Sequence, residues 1–296
     1  MSFKHSNNEK VIPKVHFENE DGRILVGNSL TSYEVGDYET DVVLGASFAG
    51  APTGQVPLRQ GCKAWIAHEA GPGKDESGIA GLPLADSFGV PAVAISTKTA
   101  DLSDGQSLLL GTVSRANNAA TALGVRPGIT GEEAAHLLLK APRGIKRDVT
   151  GLVDEDTYTL GKGKTGNIYA CWSFSRVTEE HPNDVFVVAS HGAKIMAIYA
   201  LSINPKGMIC NDAGFGKNNS GIEGLAILDE HGIGAATVST DSARIGDALS
   251  TYYDGVISAV NNTAAGFGVE VGQSAREAAR RLLGEDISDE RPDTRS

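Results

Sequence analysis

GKDESGIAGL (73–82) and GKNNSGIEGL (216–225) decide how this chain is read, because the same glycine–lysine–serine loop occurs twice. The likeness extends outward from the loops. Asp41-Val42 falls on Asp184-Val185, and after one extra residue in the second copy SRANNAATALGV (114–125) falls on SAVNNTAAGFGV (258–269). A weaker match sets DGRILVGNS (21–29) against TGNIYACWS (165–173). The reading is a tandem duplication, with one α/β repeat unit over 1–143 and a second over 144–284. The tail 285–296, EDISDERPDTRS, is charged and almost without aliphatic residues, so it is expected to be disordered, as are the first ten or so residues.

Both copies imply the same local structure. VVLGAS (42–47) and VFVVAS (185–190) are short apolar runs between turn residues and read as buried strands. KAWIAH (63–68) with KGMICN (206–211), and PAVAIS (91–96) with GAATVS (234–239), give a second and third strand in each unit. Each loop leads into a helix that should stop at Gly89 or Gly232, where a left-handed C′ residue belongs. Pro83 implies that the first of these helices is kinked or starts late. A helix is expected through 107–124 and its partner. A last one opens with Thr130-x-x-Glu133 or Ser274-x-x-Glu277, the capping-box spacing. Alternating β and α elements predict an α/β fold with a mostly parallel sheet in each half, the halves related by a pseudo-two-fold axis.

The bulk composition restricts the functional classes. A formal net charge of −11 in 296 residues argues against a nucleic-acid protein, which needs a positive footprint. Cys62, Cys171 and Cys210 have no paired spacing, so neither a disulfide framework nor a zinc knuckle is indicated. No run has the length of a membrane span and the N-terminus lacks an apolar signal core, so no membrane partner and a soluble, cytoplasmic protein are expected.

Ligands of open parallel sheets bind beyond the carboxyl ends of the strands. Here those ends are polar: Ser47 or Ser190, His68-Glu69 or Asn211-Asp212, Ser96-Thr97 or Ser239-Thr240. The loops GPGKDESG (71–78) and GFGKNNSG (214–221) follow a strand and open a helix. Gly73 and Gly216 permit close backbone approach, free N–H groups favour an anion, and Lys74 or Lys217 adds positive charge. Ser77 and Ser220 then join a binding loop or simply serve as N-caps. The loop is neither a Walker A motif nor a dinucleotide fingerprint, since Asp75 or Asn218 follows the lysine and Glu76 or Asn219 stands where a third glycine is needed. Gly45-Ala46-Ser47 and Val188-Ala189-Ser190 fit only half of a nucleophile elbow.

Differences between the copies point to one composite site. Asp101 aligns with Arg244, which is suited to clamping a carboxylate, and Asp104 and Asp247 share a position where each is an acid–base group or a helix cap. Asn117-Asn118 and Asn261-Asn262 fall in predicted helix, where buried polar contacts between the halves would account for them.

The leading expectation is an enzyme, a hydrolase before a lyase, acting between the repeats on a small anionic or amide-bearing metabolite. Ser190, Ser220, Asp212 and His68 supply the nucleophile or acid–base pair. Gly73, Lys74, Ser77, Gly216, Lys217, Arg244 and Asp247 bind the substrate. No cofactor is required, with a divalent metal at His68, Glu69, His191 and Asp212 a minor alternative. The rival readings are a non-catalytic anion-binding protein and an assembly protein whose small-residue helices pack against other copies; a homo-oligomer is expected.

Overall fold

The computed structural model describes residues 12–285 and 288–289, and the expected flexible N-terminus and most of the tail lie outside them. The chain forms two compact units. One comprises Met1–Gly71, Gly78–Val153 and Gly216–Asn218; the other comprises Pro72–Ser77, Asp154–Phe215 and Asn219–Ser296. Segment 72–77 therefore belongs to the second unit and 216–218 to the first.

The first unit runs β1 (Lys14–Asn19), β2 (Gly22–Gly27), β3 (Asp41–Phe48), α1 (Ala51–Gln60), β4 (Ala64–His68), α2 (Gly81–Ser87), β5 (Ala92–Ile95), α3 (Gly105–Leu110), β6 (Val113–Ala116), α4 (Asn118–Ala122) and α5 (Gly131–Leu138). Its sheet follows chain order from β1 to β6. The pairings from β2 through β5 are parallel, and the outer strands β1 and β6 are antiparallel to their neighbours. The sheet is mixed: its four central strands are parallel, and a hairpin between β1 and β2 and a late return after α3 add an antiparallel strand at each edge.

Strand alternation distributes the core to both faces. Ile24, Val26, Val42, Leu44 and Ile66 pack with Leu108 of α3 and Leu138 of α5. Leu25, Val43 and Trp65 turn the other way, onto Val56 of α1 and Leu82 of α2. Residues i and i+2 of a strand share a face, so near-continuous apolar runs such as VVL (42–44) require helices on both sides.

The second unit runs β7 (Tyr158–Lys162), β8 (Asn167–Cys171), β9 (Val185–His191), α6 (Lys194–Ile203), β10 (Gly207–Asn211), α7 (Gly224–Glu230), β11 (Gly234–Val238), α8 (Ala248–Asp254), β12 (Ile257–Val260), α9 (Asn262–Gly266), α10 (Ala275–Leu283) and β13 (Ser288–Asp289). Its sheet is also mixed, ordered β12-β11-β10-β9-β8-β7-β13. The two residues of β13 pair antiparallel with β7, so this part of the tail is strand. Ile168, Val187 and Ile209 pack with Tyr252 and Leu282 on one face. Phe186, Val188 and Met208 pack with Met196 and Leu225 on the other.

The run read as one helix, 107–124, is instead α3, β6 and α4. Gly111 ends α3 in extended backbone, and a Cβ there would collide with the side chain of Ile95. Asn117 is consequently an N-cap, not a mid-helix residue: its Oδ1 accepts from Ala120 N at 2.9 Å and Ala92 N at 3.1 Å, while Nδ2 donates to Val90 O at 2.8 Å. Asn261 does the same for Ala264, Ala235 and Ile233. These contacts lie within each asparagine's own unit. The helix with Pro83 starts late, at Gly81, which leaves the proline in the first turn where an N–H would have no intrahelical partner. Among the described residues, no helix is long and apolar enough to cross a membrane.

Candidate functional site

The carboxyl ends of the central strands carry the polar rim, and in the first unit it is tied down as structure. His68, fully buried at the end of β4, directs Nε2 to Ala100 O at 3.0 Å and accepts from Ala70 N on Nδ1 at 3.0 Å. Burial holds its imidazole neutral by lowering its pKa to about 4. Both ring nitrogens are thus engaged by backbone groups. Glu69 Oε1 accepts from Thr97 N at 2.8 Å, and the Thr97 hydroxyl accepts from Gly71 N at 2.6 Å. Ser47 accepts from Leu30 N at 3.0 Å.

In the second unit Asn211 performs the backbone bonding that His68 performs in the first. Its Nδ2 donates to Ala243 O at 3.2 Å and its Oδ1 accepts from Ala213 N at 2.8 Å. Asp212 departs from the Glu69 pattern. A single oxygen, Oδ1, accepts from both Gly214 N at 2.9 Å and Thr240 N at 3.0 Å. The shorter carboxylate thus takes the amide that a threonine hydroxyl holds in the first unit. Thr240, only 4% exposed, is left with a buried hydroxyl that has no partner among the described residues. Burial raises the pKa of Asp212, with the Gly214 amide opposing.

Segment 72–77 completes this rim. Lys74 N donates to Thr240 O at 2.8 Å, and Lys74 Nζ reaches Asp254 Oδ2 at 3.0 Å and Ser242 O at 3.3 Å. The Ser250 hydroxyl, 2.7 Å from Asp254 Oδ2, and then the Lys74 ammonium hold the Asp254 carboxyl below its ordinary pKa. Arg244 donates from Nη1 to Asp75 at 2.9 Å and from Nε to Asp247 at 3.3 Å. Asp247 also caps α8 by accepting from Ser250 N. Asp75 and Glu76 both adopt left-handed backbone, at φ 55° and 52°, a conformation that costs non-glycine residues energy and recurs at functional loops.

The first unit has a smaller counterpart. Lys217 Nζ lies 3.5 Å from Asp101, whose carboxylate also accepts from Asn218 Nδ2 at 2.9 Å and Ser107 Oγ at 3.2 Å. Asp104 caps α3. Both lysines therefore face carboxylates, not open anion cradles.

Lys74, Arg244, Asp247 and Asp212 are gathered in the second unit around Thr240 and 72–77, together with Ser77, whose buried hydroxyl has no partner among the described residues. Gly73 and Gly216 turn their loops at φ 69° and 70°. Ser190, the penultimate residue of β9, is 9% exposed and has none of the positive φ that a nucleophile elbow requires. Ser220 is buried and is not the N-cap of α7, which is Glu223 with no side-chain bond. Among the described residues, no three His, Cys, Asp or Glu side chains are grouped to hold a metal ion.

Sequence reasoning placed Thr240 on the polar rim and Asp75 in the loop without giving either a role, and passed over Ser250 and Asp254. The available signal for Asp254 was its alignment with Leu110, which is 79% exposed. A carboxylate in one unit aligned with an exposed leucine in the other is a difference that packing does not demand. Comparison of the chain with protein-family models, curated proteins and solved structures found no match in any of the three.

Proposed function

We propose that the chain is a tandem duplication in which the second unit carries the working site, and that it is a hydrolase of small metabolites bearing an amide and a carboxylate. The observation that supports this reading best is Asp212. It is a buried carboxyl whose pKa is raised, it accepts from the backbone N–H of Thr240, whose hydroxyl is unpaired, and it lies on the rim that also gathers Lys74 and Arg244. Carboxyls shifted by burial beside fixed charges concentrate at catalytic sites. In this reading Arg244 orients the substrate carboxylate and Lys74 polarises the amide carbonyl. Asp212 takes a proton from the attacking water and returns it to the leaving nitrogen, so amide and water give a carboxylic acid and an amine. His68 is left out, because its ring is committed to backbone. We further assign the enzyme to the cytoplasm, as a homo-oligomer.

The test is ammonia release from simple carboxylate-bearing amides such as asparagine and glutamine. Asp212→Asn should abolish turnover with the fold intact by circular dichroism, and Lys74→Ala should raise KM. Turnover that survives in Asp212→Asn, or no hydrolysis of any amide in such a panel, would overturn the reading.

One observation favours non-catalytic anion binding instead: Lys74 and Lys217 both sit beside carboxylates, which an anionic ligand could replace. That reading requires Lys74→Ala and Lys217→Ala to weaken ligand binding equally. The hydrolase reading requires the damage to fall mainly on Lys74→Ala.

A further inference from the structure

We infer that segment 72–77 is a strap latched by ion pairs over the second unit's site, and that its Asp75 occupies the place on Arg244 that a carboxylate ligand takes when the strap lifts. The inference rests on the site proposed above and adds how that site is entered and what its entrant carries.

The fastening is polar throughout. No residue from Pro72 to Ser77 is buried, so no apolar side chain anchors the segment. It is held by Lys74 N on Thr240 O, by Lys74 Nζ on Ser242 O and Asp254, and by Asp75 on Arg244. The side chains of these two ion pairs are 30% to 63% exposed, which makes the attraction weak and open to screening by salt. Gly71 and Gly73 at the leading end, with φ of 59° and 69°, supply freedom to swing.

What lies beneath the strap is not satisfied by it. The Thr240 backbone is held on both sides, N–H to Asp212 and carbonyl to Lys74, yet its hydroxyl is buried without a partner. The Ser77 hydroxyl, at the far end of the strap, is in the same condition. An unpaired buried hydroxyl has lost its hydration without replacement, and an entering group that bonds to it recovers that loss. Arg244, Lys74 and the Thr240 hydroxyl together present donors, and Asp75 already shows which chemistry the guanidinium accepts. A small carboxylate competes with Asp75 for Arg244, frees the strap, and gains Thr240.

The experiment is done on the full chain with malonate as the probe. Hydrogen exchange is read at the Lys74 amide while malonate is titrated against sodium chloride of equal ionic strength, and malonate affinity is measured by calorimetry for the wild type, Asp75→Asn and Arg244→Gln. Malonate should speed exchange at Lys74 severalfold beyond chloride. Asp75→Asn should bind malonate about tenfold more tightly, because the open form is no longer a minority, and Arg244→Gln should lose that binding. Asp75→Asn binding no more tightly than the wild type, or chloride reproducing the whole malonate effect, overturns the strap. Neither readout needs turnover, so a chain that hydrolyses no amide can still pass. Conversely, a chain that fails here can still be a hydrolase with a permanently open site.

Discussion

Replacing His68 with asparagine should leave stability at neutral pH nearly unchanged and flatten its loss in acid. Asn211 makes in the second unit the pair of backbone bonds that His68 makes in the first, so an asparagine in place of His68 can keep both, and the smaller side chain should cost about 1 kcal/mol. Leucine has a similar volume but leaves the Ala70 amide and Ala100 carbonyl buried and unpaired, so His68→Leu should cost roughly 2–5 kcal/mol. The acid effect follows from linkage. An unfolded histidine titrates near 6.5 and folded His68 at about 4, so between these values the unfolded chain binds more protons. Stability from the neutral ring is complete above pH ~6.5 and drains as pH falls toward 4, by about 2 kcal/mol at pH 5 and about 3 kcal/mol at pH 4. Urea unfolding followed by Trp65 fluorescence, in a Trp172→Phe background, reports on the first unit. Equal acid slopes for the wild type and His68→Asn would refute the reasoning, as would a neutral-pH loss in His68→Asn equal to that in His68→Leu.

Three further outcomes are expected. Arg23→Ala should cost roughly 3 kcal/mol in chemical denaturation, because it strands the fully buried Asp41 that Arg23 grips at 2.9 and 2.6 Å. Arg143→Ala, which breaks an exposed pair with Glu39, should cost under about 1 kcal/mol, and equal losses would refute the distinction. Asn117→Ala should lower thermal stability by more than about 2 kcal/mol, since it removes an N-cap and unpairs Val90 O and Ala92 N, whereas Asn118→Ala loses mainly a contact to Asp86. The thiols of Cys62, Cys171 and Cys210 are buried, and burial pushes each up, that of Cys171 to about 12. Native protein should therefore be inert to a thiol reagent that modifies all three in urea, and rapid modification of any one would contradict this burial.

The central strands were legible because burial on both faces demands apolar runs: VVLGAS (42–47) lies in β3 (Asp41–Phe48), and PAVAIS (91–96) contains β5 (Ala92–Ile95). The edge strands were not. Val113–Ala116 reads VSRA, four residues of which only Val113 is buried, and its neighbours carry the small and polar residues of a helix. Nothing local distinguishes such a stretch from α-helix; its antiparallel pairing with β5 does. The rim of the site was legible for the same reason as the strands, since polar residues gather where they end. Which rim residues are structural was not. The commitment of His68 to Ala70 and Ala100 depends on a carbonyl 32 residues away. The partner of Lys74, Asp254, is 180 residues distant.

The difference between Glu69 and Asp212 is one methylene, and it redistributes the hydrogen bonds of the whole rim. Glu69 reaches Thr97 N and leaves Gly71 N to the threonine hydroxyl, so that hydroxyl is used. Asp212 gathers Gly214 N and Thr240 N on one oxygen, and the hydroxyl of Thr240 is left over. A buried group without a partner is a cost that selection against instability would remove by a change as small as Thr240→Val. It stands in the unit which also holds Arg244 and Asp254, the two charged residues that align with Asp101 and Leu110 of the other unit. Under the proposed duplication, the first unit keeps the satisfied, purely structural version of the rim, and the second has given up one hydrogen bond at the point where a ligand would supply it.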